Sequence, residues 1–318
     1  MKQLSGQDNS FLEIERDGVT QNIASISIYD QSTAPGGAVR FKEIISHLES
    51  RLHLSPIFRS KLHEVPLGLD KPYLIDDPDF DLEYHVRHIA LPKPGDWRQM
   101  CIQMARINSR PMDLSKPLWE LYVIEGIDNV EGVPSGSFAV LLRMHHAIMD
   151  GATAMEMQAA IHDLTPEPRN VPPESRRVIH TPPSTLEVLR KAYINNFFRK
   201  PKDIVNLLGS VVKEQISPAL VNLVTGQQVN LPDKPHTRFN NKLSPHRVLD
   251  ACSFDFAEVR AIKNTLPGAT VNDAVLTIVS GALHKYLKAH GELPAESLTC
   301  GCPVDVRTEA ERGTGGNV

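Results

Sequence analysis

Two consecutive apolar runs constrain the fold of this chain more than any other feature of its sequence. Residues 118–127 (LWELYVIEGI) and 137–144 (SFAVLLRM) flank a turn-rich loop at 128–136, a pattern that predicts a β-hairpin. In the second run, the residues from Phe138 to Leu142 are all apolar, with no polar alternation. Such a strand is typical of the interior of a sheet that is covered on both faces. The chain must therefore supply covering elements on both sides of a central sheet.

Strand and helix patterns surround this hairpin. Residues 22–29 alternate in the manner of a half-buried strand, and residues 41–52 place their apolar side chains on one face of a helix. A further helix is predicted over residues 97–107. This order of strands and helices predicts an α/β layered domain over residues 1–165.

A helix is also expected directly after the hairpin. Thr153 and Glu156 have the spacing of a capping box, in which two side chains satisfy the first backbone groups of a helix. The sequence therefore predicts a helix over residues 152–164, directly after Asp150 and Gly151.

Residues 166–240 are predicted to form a Pro-rich linker followed by a cationic helical segment. Six prolines fall within residues 165–184, too many for a packed element. Four bulky side chains recur at helical spacing farther on: Leu186, Leu189, Tyr193 and Phe197. With their basic neighbours they favour an interfacial helix that docks on a membrane or a lipid inclusion. The alternative is an ordinary packing helix with a solvated basic face.

A second alternating unit is predicted over residues 241–318. It contains a strand pattern at 246–255, a helix at 258–266, a long apolar helix at 271–290 and a strand pattern at 297–307. The unit is short and ends in glycines. We therefore expect it to be the start of a C-terminal subdomain whose remaining portion is missing from this chain.

The composition argues against several classes of protein. The formal net charge is −4, so the sequence has no basic footprint for a nucleic-acid partner. The polar N-terminal residues lack the apolar core of a signal peptide, and no apolar window is long enough to span a bilayer. The four cysteines do not have the spacing of a zinc knuckle, and reduced thiols are expected. These features favour a cytoplasmic protein.

The segment His-His-Ala-Ile-Met-Asp-Gly at residues 145–151 follows the second apolar run directly. Successive side chains of a strand point to opposite faces, which argues against His145 and His146 binding one metal ion. An imidazole titrates near neutral pH, so one of them can serve as a general base toward an alcohol. The sequence lacks Gly-x-Ser-x-Gly, so such a base implies direct transfer between two bound substrates. The alternative is two buried core histidines with Asp150 as a helix cap.

Five segments together resemble the wax ester synthase/diacylglycerol acyltransferase family, within the acyltransferases that carry His-His-x-x-x-Asp-Gly. They occur in the family's order, at residues 80–95, 110–126, 144–151, 234–247 and 269–276. The resemblance implies an α/β fold similar to chloramphenicol acetyltransferase and condensation domains. Such a fold has two similar halves with a central tunnel, and the second half would be incomplete in this chain.

The resemblance also implies roles for the residues of the histidine motif. His146 would be the general base that deprotonates the acceptor hydroxyl. His145 would support the pocket and Asp150 would orient the loop. Gly151 would keep the site open.

Two further family motifs carry implied roles. Pro117, Leu118 and Trp119 match a Pro-Leu-Trp motif associated with the acyl pocket and with sheet packing; a buried tryptophan at a strand start is the alternative. Asn272 and Asp273 match an Asn-Asp motif on the long helix. Asn272 would donate to the thioester oxyanion or the acceptor hydroxyl, and Asp273 would cap or stabilise its helix.

The implied reaction is O-acyl transfer from acyl-coenzyme A, as co-substrate, to a long-chain alcohol or diacylglycerol. It needs no covalent acyl-enzyme, no metal and no redox cofactor. The alternatives are a condensation-type or polyketide-associated acyltransferase, and a non-catalytic lipid-binding relative. The protein is expected in the cytoplasm, either free or peripheral on the inner membrane or lipid inclusions.

Overall fold

The computed structural model describes residues 1–16, 18–149, 151–165, 167–174, 183–195 and 235–300. The chain divides into two compact units. Among the described residues, the first unit holds those up to residue 195 together with Ser244–Leu249, and the second holds 235–243 and 250–300. The predicted subdomain boundaries at residues 165 and 240 stay predictions.

The described residues contain seven strands: β1 (Lys2–Gln3), β2 (Asn22–Tyr29), β3 (Ser60–His63), β4 (Tyr73–Asp76), β5 (Val86–Ala90), β6 (Trp119–Glu125) and β7 (Phe138–His145). A four-stranded sheet has the order β2-β7-β6-β5, in which β7 is antiparallel to both neighbours and β5 is parallel to β6. A smaller antiparallel sheet has the order β1-β4-β3. The predicted hairpin is confirmed as β6 and β7, with Trp119 opposite Met144.

Six described helices belong to the first unit: α1 (Gly6–Ile14), α2 (Phe41–Glu49), α3 (Leu82–His85), α4 (Trp97–Asn108), α5 (Gly151–Ile161) and α6 (185–195). The second unit contains α7 (Phe256–Lys263) and α8 (Val271–Ala289). The predictions at 41–52, 97–107 and 271–290 are confirmed by α2, α4 and α8. None of the described helices combines the length and the apolar character needed to cross a bilayer.

The core lies on both faces of the four-stranded sheet, as the unbroken apolar run of β7 predicts. Leu142 and Met144 face a cluster that includes Leu48 of α2. Ala139 and Leu141 face the opposite cluster with α4. Since β7 is covered on both sides, its end is a fixed platform for the residues that follow it.

The capping box predicted at Thr153 and Glu156 is wrong. Helix α5 begins at Gly151, so Thr153 lies inside its first turn, where its side chain is buried. An N-cap residue has non-helical backbone angles and precedes the first helical residue. The spacing was therefore a coincidence of composition, whereas the predicted helix itself is confirmed as α5.

The strand predicted at residues 246–255 is also wrong. The segment is irregular up to Asp255, whose side chain caps α7 by accepting from Ala257 N at 2.7 Å. A strand needs a partner with which to form a hydrogen-bond ladder. No described strand pairs with this segment. The strand predicted at 297–307 is absent over 297–300, and its remainder lies outside the described residues.

Helix α6 confirms part of the predicted cationic helical segment, and residues 196–225 of that prediction lie outside the described residues. Val188 and Ala192 are buried and pack against Val65, Tyr73 and Ile75 near the smaller sheet. One face of α6 is therefore a packing face, as in the alternative interpretation of this segment.

Candidate active site

The histidine motif lies where β7 ends. His145 is the last residue of the strand, and His146 begins a short 3-10 turn that runs to Ile148. The backbone N–H of His145 donates to Leu118 O at 3.0 Å, and that of His146 donates to Gln21 O at 2.8 Å. The two neighbouring segments therefore fix the backbone of the motif from opposite sides.

His145 is fully buried, and both of its ring nitrogens are engaged. Nδ1 accepts from the backbone N–H of Ala147 at 3.0 Å, and Nε2 lies 2.9 Å from Oε2 of Glu15. Because Nδ1 is an acceptor, the proton of the neutral ring must sit on Nε2 and point to the carboxylate. Burial lowers the pKa of His145, and the Glu15 carboxylate opposes that shift. The neutral form is therefore the stable form at neutral pH.

His146 has a different environment from its neighbour. Its side chain is half-buried, and its ring stacks on Phe11 with 4.3 Å between centroids and 11° between planes. The two adjacent histidines thus divide into one fully buried residue and one half-buried residue, whose Nδ1 atom is itself buried.

Helix α1 contributes two contacts that the sequence analysis missed. Phe11 lies in the helix and Glu15, four residues on, is its C-cap residue, and they contact His146 and His145 respectively. A signal was present: Ser5 and Asp8 form a capping box, with Asp8 N donating to Ser5 Oγ at 2.9 Å. The box identifies a helix start, but it does not say which surface the helix meets.

The Pro-Leu-Trp motif lies beside the end of β7 and is buried. The indole N–H of Trp119 donates to Phe58 O at 2.8 Å. His85 Nδ1 donates to Trp119 O at 2.7 Å, and the two rings stack at 4.7 Å. Pro117 and Leu118 carry the chain into β6 and hold the backbone of His145. These contacts favour the packing interpretation of the motif.

His85 and His88 have different environments, since His85 ends α3 and His88 lies on β5. His85 is buried against Trp119. Burial lowers the pKa of His85, although its hydrogen bond to Trp119 O acts in the opposite direction. His88 lies 2.9 Å from Glu125 Oε1 and stacks on Phe41. Within the described ranges there is no group of three or more His, Cys, Asp or Glu residues that could hold a metal ion.

The end of α5 that lies farther from the motif is held by three side chains. Arg51 is buried and forms a two-pronged ion pair with Asp163, at 3.0 and 2.5 Å. His47 Nε2 donates to Ile161 O at 2.9 Å, and Arg169 donates to Ala160 O at 2.8 Å. Cationic groups at a helix C-terminus satisfy its last carbonyls and its dipole. These contacts therefore anchor the C-terminal end of α5.

The remaining predicted site residues are placed only in part. Asp150 lies outside the described residues. Asn272 and Asp273 belong to the second unit, at the start of α8. The Asp273 carboxylate accepts from Thr270 N at 2.7 Å, and this capping box lowers its pKa. Asn272 is exposed. The geometry of Asp273 is that of a helix cap, whereas the predicted role of Asn272 stays a prediction.

Comparison with known proteins adds an independent observation to this geometry. The family model for the wax ester synthase/diacylglycerol acyltransferase catalytic domain matches residues 4–275. This chain belongs to that family. The matched range includes the histidine motif, the Pro-Leu-Trp motif and helix α1 with Phe11 and Glu15.

Curated relatives of this wax ester synthase/diacylglycerol acyltransferase family member come from Mycobacterium tuberculosis H37Rv. One, provisionally named a diacylglycerol O-acyltransferase, is 32% identical over 329 residues, which cover 100% of this chain and 66% of the relative. Another, provisionally named a diacylglycerol O-acyltransferase, is 30% identical over 313 residues, covering 98% and 60%. The chain thus spans 60–66% of the length of these relatives.

A solved structure gives the fold. The wax ester synthase/diacylglycerol acyltransferase from Marinobacter aquaeolei VT8 aligns with a TM-score of 0.59 and 24% sequence identity, over 93% of this chain and 63% of that one. This likeness confirms the predicted mixed α/β fold class of the family. The predicted incompleteness of the second half stays a prediction.

Proposed function

We propose that this protein transfers a fatty acyl group from acyl-coenzyme A to the hydroxyl of diacylglycerol or of a long-chain alcohol. The observation that carries the proposal is the division of the histidine pair. His145 is enclosed with both ring nitrogens in hydrogen bonds, whereas His146 is half-buried at the end of the central strand. A general base must be reachable by the acceptor hydroxyl, so the less buried His146 is the better candidate of the two.

In the proposed reaction His146 takes the proton of the acceptor hydroxyl as its oxygen attacks the thioester carbonyl. A tetrahedral oxyanion forms, the carbon–sulfur bond breaks, and the coenzyme A thiolate leaves and takes the proton from His146. Asn272 would donate to the oxyanion, a contact that acts most strongly in a site with little water. The reaction needs neither a metal nor a redox cofactor, and it leaves no acyl group on the protein.

The names of the relatives bear on the acceptor. The mycobacterial relatives are named for diacylglycerol, and the Marinobacter protein is named for wax esters as well. Both acceptors present a hydroxyl on a long apolar chain, so the same acyl-transfer chemistry applies to either. We therefore propose activity toward both acceptors.

Coenzyme A release from palmitoyl-coenzyme A tests this function. We expect release to depend on added hexadecanol or diacylglycerol, because the base activates the acceptor and not a residue of the protein. Intact-protein mass spectrometry after mixing with palmitoyl-coenzyme A alone should show no acyl adduct. Release without an acceptor, or an adduct, would contradict direct transfer. Acyl-coenzyme A binding without any turnover would instead favour a non-catalytic lipid-binding protein.

We further propose that the protein works peripherally on a membrane or lipid inclusion, since the proposed acceptors are insoluble in water. The outward face of α6 carries Leu186, Arg190 and Tyr193, which recur at helical spacing. Leu186 is 78% exposed and Tyr193 is 73% exposed. Leu189 is half-buried, and Phe197 lies outside the described residues.

A turn beside α6 extends this surface. Asn195 of α6 donates to Asp70 Oδ2 at 3.0 Å, which places the turn containing Leu67 next to the helix. Leu67 has a left-handed backbone (φ 59°) and is 92% exposed. Leu69 is also exposed. Bulky apolar side chains beside a basic residue are the pattern of a surface that enters the lipid interface.

Liposome flotation with anionic vesicles tests this surface. The double variant Leu67→Asp, Tyr193→Glu should lower the membrane partition coefficient at least about tenfold, since each lost apolar side chain removes about 1.5–3 kcal/mol of burial. The matched control is Leu164→Asp, which changes an exposed leucine outside this surface. Equal flotation of the double variant and the parent would contradict the proposed lipid surface.

A further inference from the structure

The geometry points to Glu15 as a positioning residue that orients His146 through His145 and the turn that follows. This inference rests on the proposed function, in which His146 is the general base. The carboxylate of Glu15 contacts the neighbouring ring of His145. Its role would therefore be to set geometry and not to move a proton.

The first step of the argument is the choice of tautomer. Oε2 of Glu15 lies 2.9 Å from Nε2 of His145, in a pocket where the His145 side chain is fully buried. A carboxylate can only accept, so it holds the ring proton on Nε2. Nδ1 is then an acceptor.

The second step links the tautomer of His145 to the backbone of the 3-10 turn that begins at His146. Nδ1 of His145 accepts from the backbone N–H of Ala147 at 3.0 Å. His146 is the residue between these two partners, at the start of the 3-10 turn. A ring protonated on Nδ1 would present a donor to the Ala147 N–H, and this contact would be lost. Glu15 thus fixes the backbone that aims the His146 ring.

The third step is a second contact from the same helix. Phe11, one turn before Glu15, stacks on the His146 ring. Helix α1 is itself fixed at its start by the Ser5–Asp8 capping box and by Leu4, which is buried and donates from its N–H to Pro72 O at 2.9 Å. The helix therefore sets the ring of one histidine directly and the backbone of both through the other.

The fourth step separates positioning from stability. The second oxygen of Glu15, Oε1, is buried and has no hydrogen-bond partner among the residues that the structure describes. A buried carboxylate with one unsatisfied oxygen contributes little net stability, because desolvation offsets its single good contact. The expected effect of Glu15 is therefore mainly on turnover, with a smaller loss of stability where the buried His145 N–H is left without an acceptor.

Steady-state kinetics of the purified protein test the inference. Glu15→Ala should lower kcat for acyl transfer about 100-fold, because small misplacement of a reacting group has effects of that order, with the KM for palmitoyl-coenzyme A within about twofold. Glu15→Gln should restore most of kcat, since its amide oxygen accepts the same hydrogen bond. The matched control is Glu13→Ala, which changes an exposed glutamate of the same helix.

A spectroscopic measurement keeps this test independent of activity. Nitrogen-15 NMR of the His145 ring should show protonation on Nε2 in the parent and in Glu15→Gln, and a loss of this state in Glu15→Lys. A parent ring protonated on Nδ1 would overturn the inference whatever the activity. Unchanged kcat in Glu15→Ala alongside an inactive His146→Ala would overturn it too, and the proposed function would stand. An active His146→Ala would instead remove the proposed function itself.

Discussion

Replacing His146 with alanine is expected to lower kcat for acyl transfer by about 10²–10⁴-fold, the contribution of a well-placed general base. The reason is the geometry at the end of β7. His146 is the less buried histidine of the pair, and its ring stacks on Phe11. Alanine removes the proton acceptor but keeps the backbone of the turn. The KM for palmitoyl-coenzyme A should therefore change little.

The measurement is acceptor-dependent coenzyme A release, compared between His146→Ala and the parent across a range of hexadecanol concentrations. His284→Ala is the matched control, because His284 is exposed on α8 and alanine suits a helix. The control should retain the parental kcat. If His146→Ala retained it as well, the assignment of the base would be wrong. Thermal unfolding of the variant should be unchanged from the parent, which would exclude a folding defect as the cause of the lost activity.

Replacing Arg143 with methionine should lower the free energy of unfolding of the first unit by about 3–5 kcal/mol, the range for breaking a buried ion pair. Arg143 lies on β7, two residues before His145, and its side chain is 1% exposed. It donates to Ile107 O and to Arg110 O, the latter at 2.9 Å, and its Nε lies 3.6 Å from Glu120. Methionine fills the volume but leaves these acceptors without their donor.

Urea unfolding followed by tryptophan fluorescence isolates this effect, because both tryptophans, Trp97 and Trp119, lie in the first unit. Arg106→Met is the matched control on the exposed side of α4, and it should change the free energy of unfolding by less than about 0.5 kcal/mol. Equal midpoints for Arg143→Met and the parent would show that these buried contacts contribute nothing to stability.

The parts of the fold that sequence predicts are those fixed by local apolar patterning. The hairpin of β6 and β7 follows from two apolar runs around a turn-rich loop, and the cover on both faces follows from the unbroken run Phe138–Leu142. The apolar faces of α2 and α4 are read in the same way. In each case the side chains that form the pattern are the side chains that become buried.

The parts that sequence reasoning missed depend on contacts between distant segments. Helix α1 has a polar composition, so its own sequence pattern does not predict that Glu15 contacts His145, which is 130 residues farther along the chain. The apolar alternation at 246–255 describes a strand only if another strand lies beside it, and no described strand does.

At Leu67 the backbone conformation lowers the stability of the protein, whereas the exposed side chain belongs to the proposed lipid surface. A left-handed backbone costs a residue other than glycine about 1–2 kcal/mol, and glycine, which has no Cβ, would remove that cost. A procedure that selects only for stability would therefore choose glycine at this position, and would gain a more stable protein. It would also delete one of the most exposed apolar side chains of the first unit. If that leucine enters lipid, the stabilised protein would bind the membrane less well and would meet fewer of the proposed lipid acceptors.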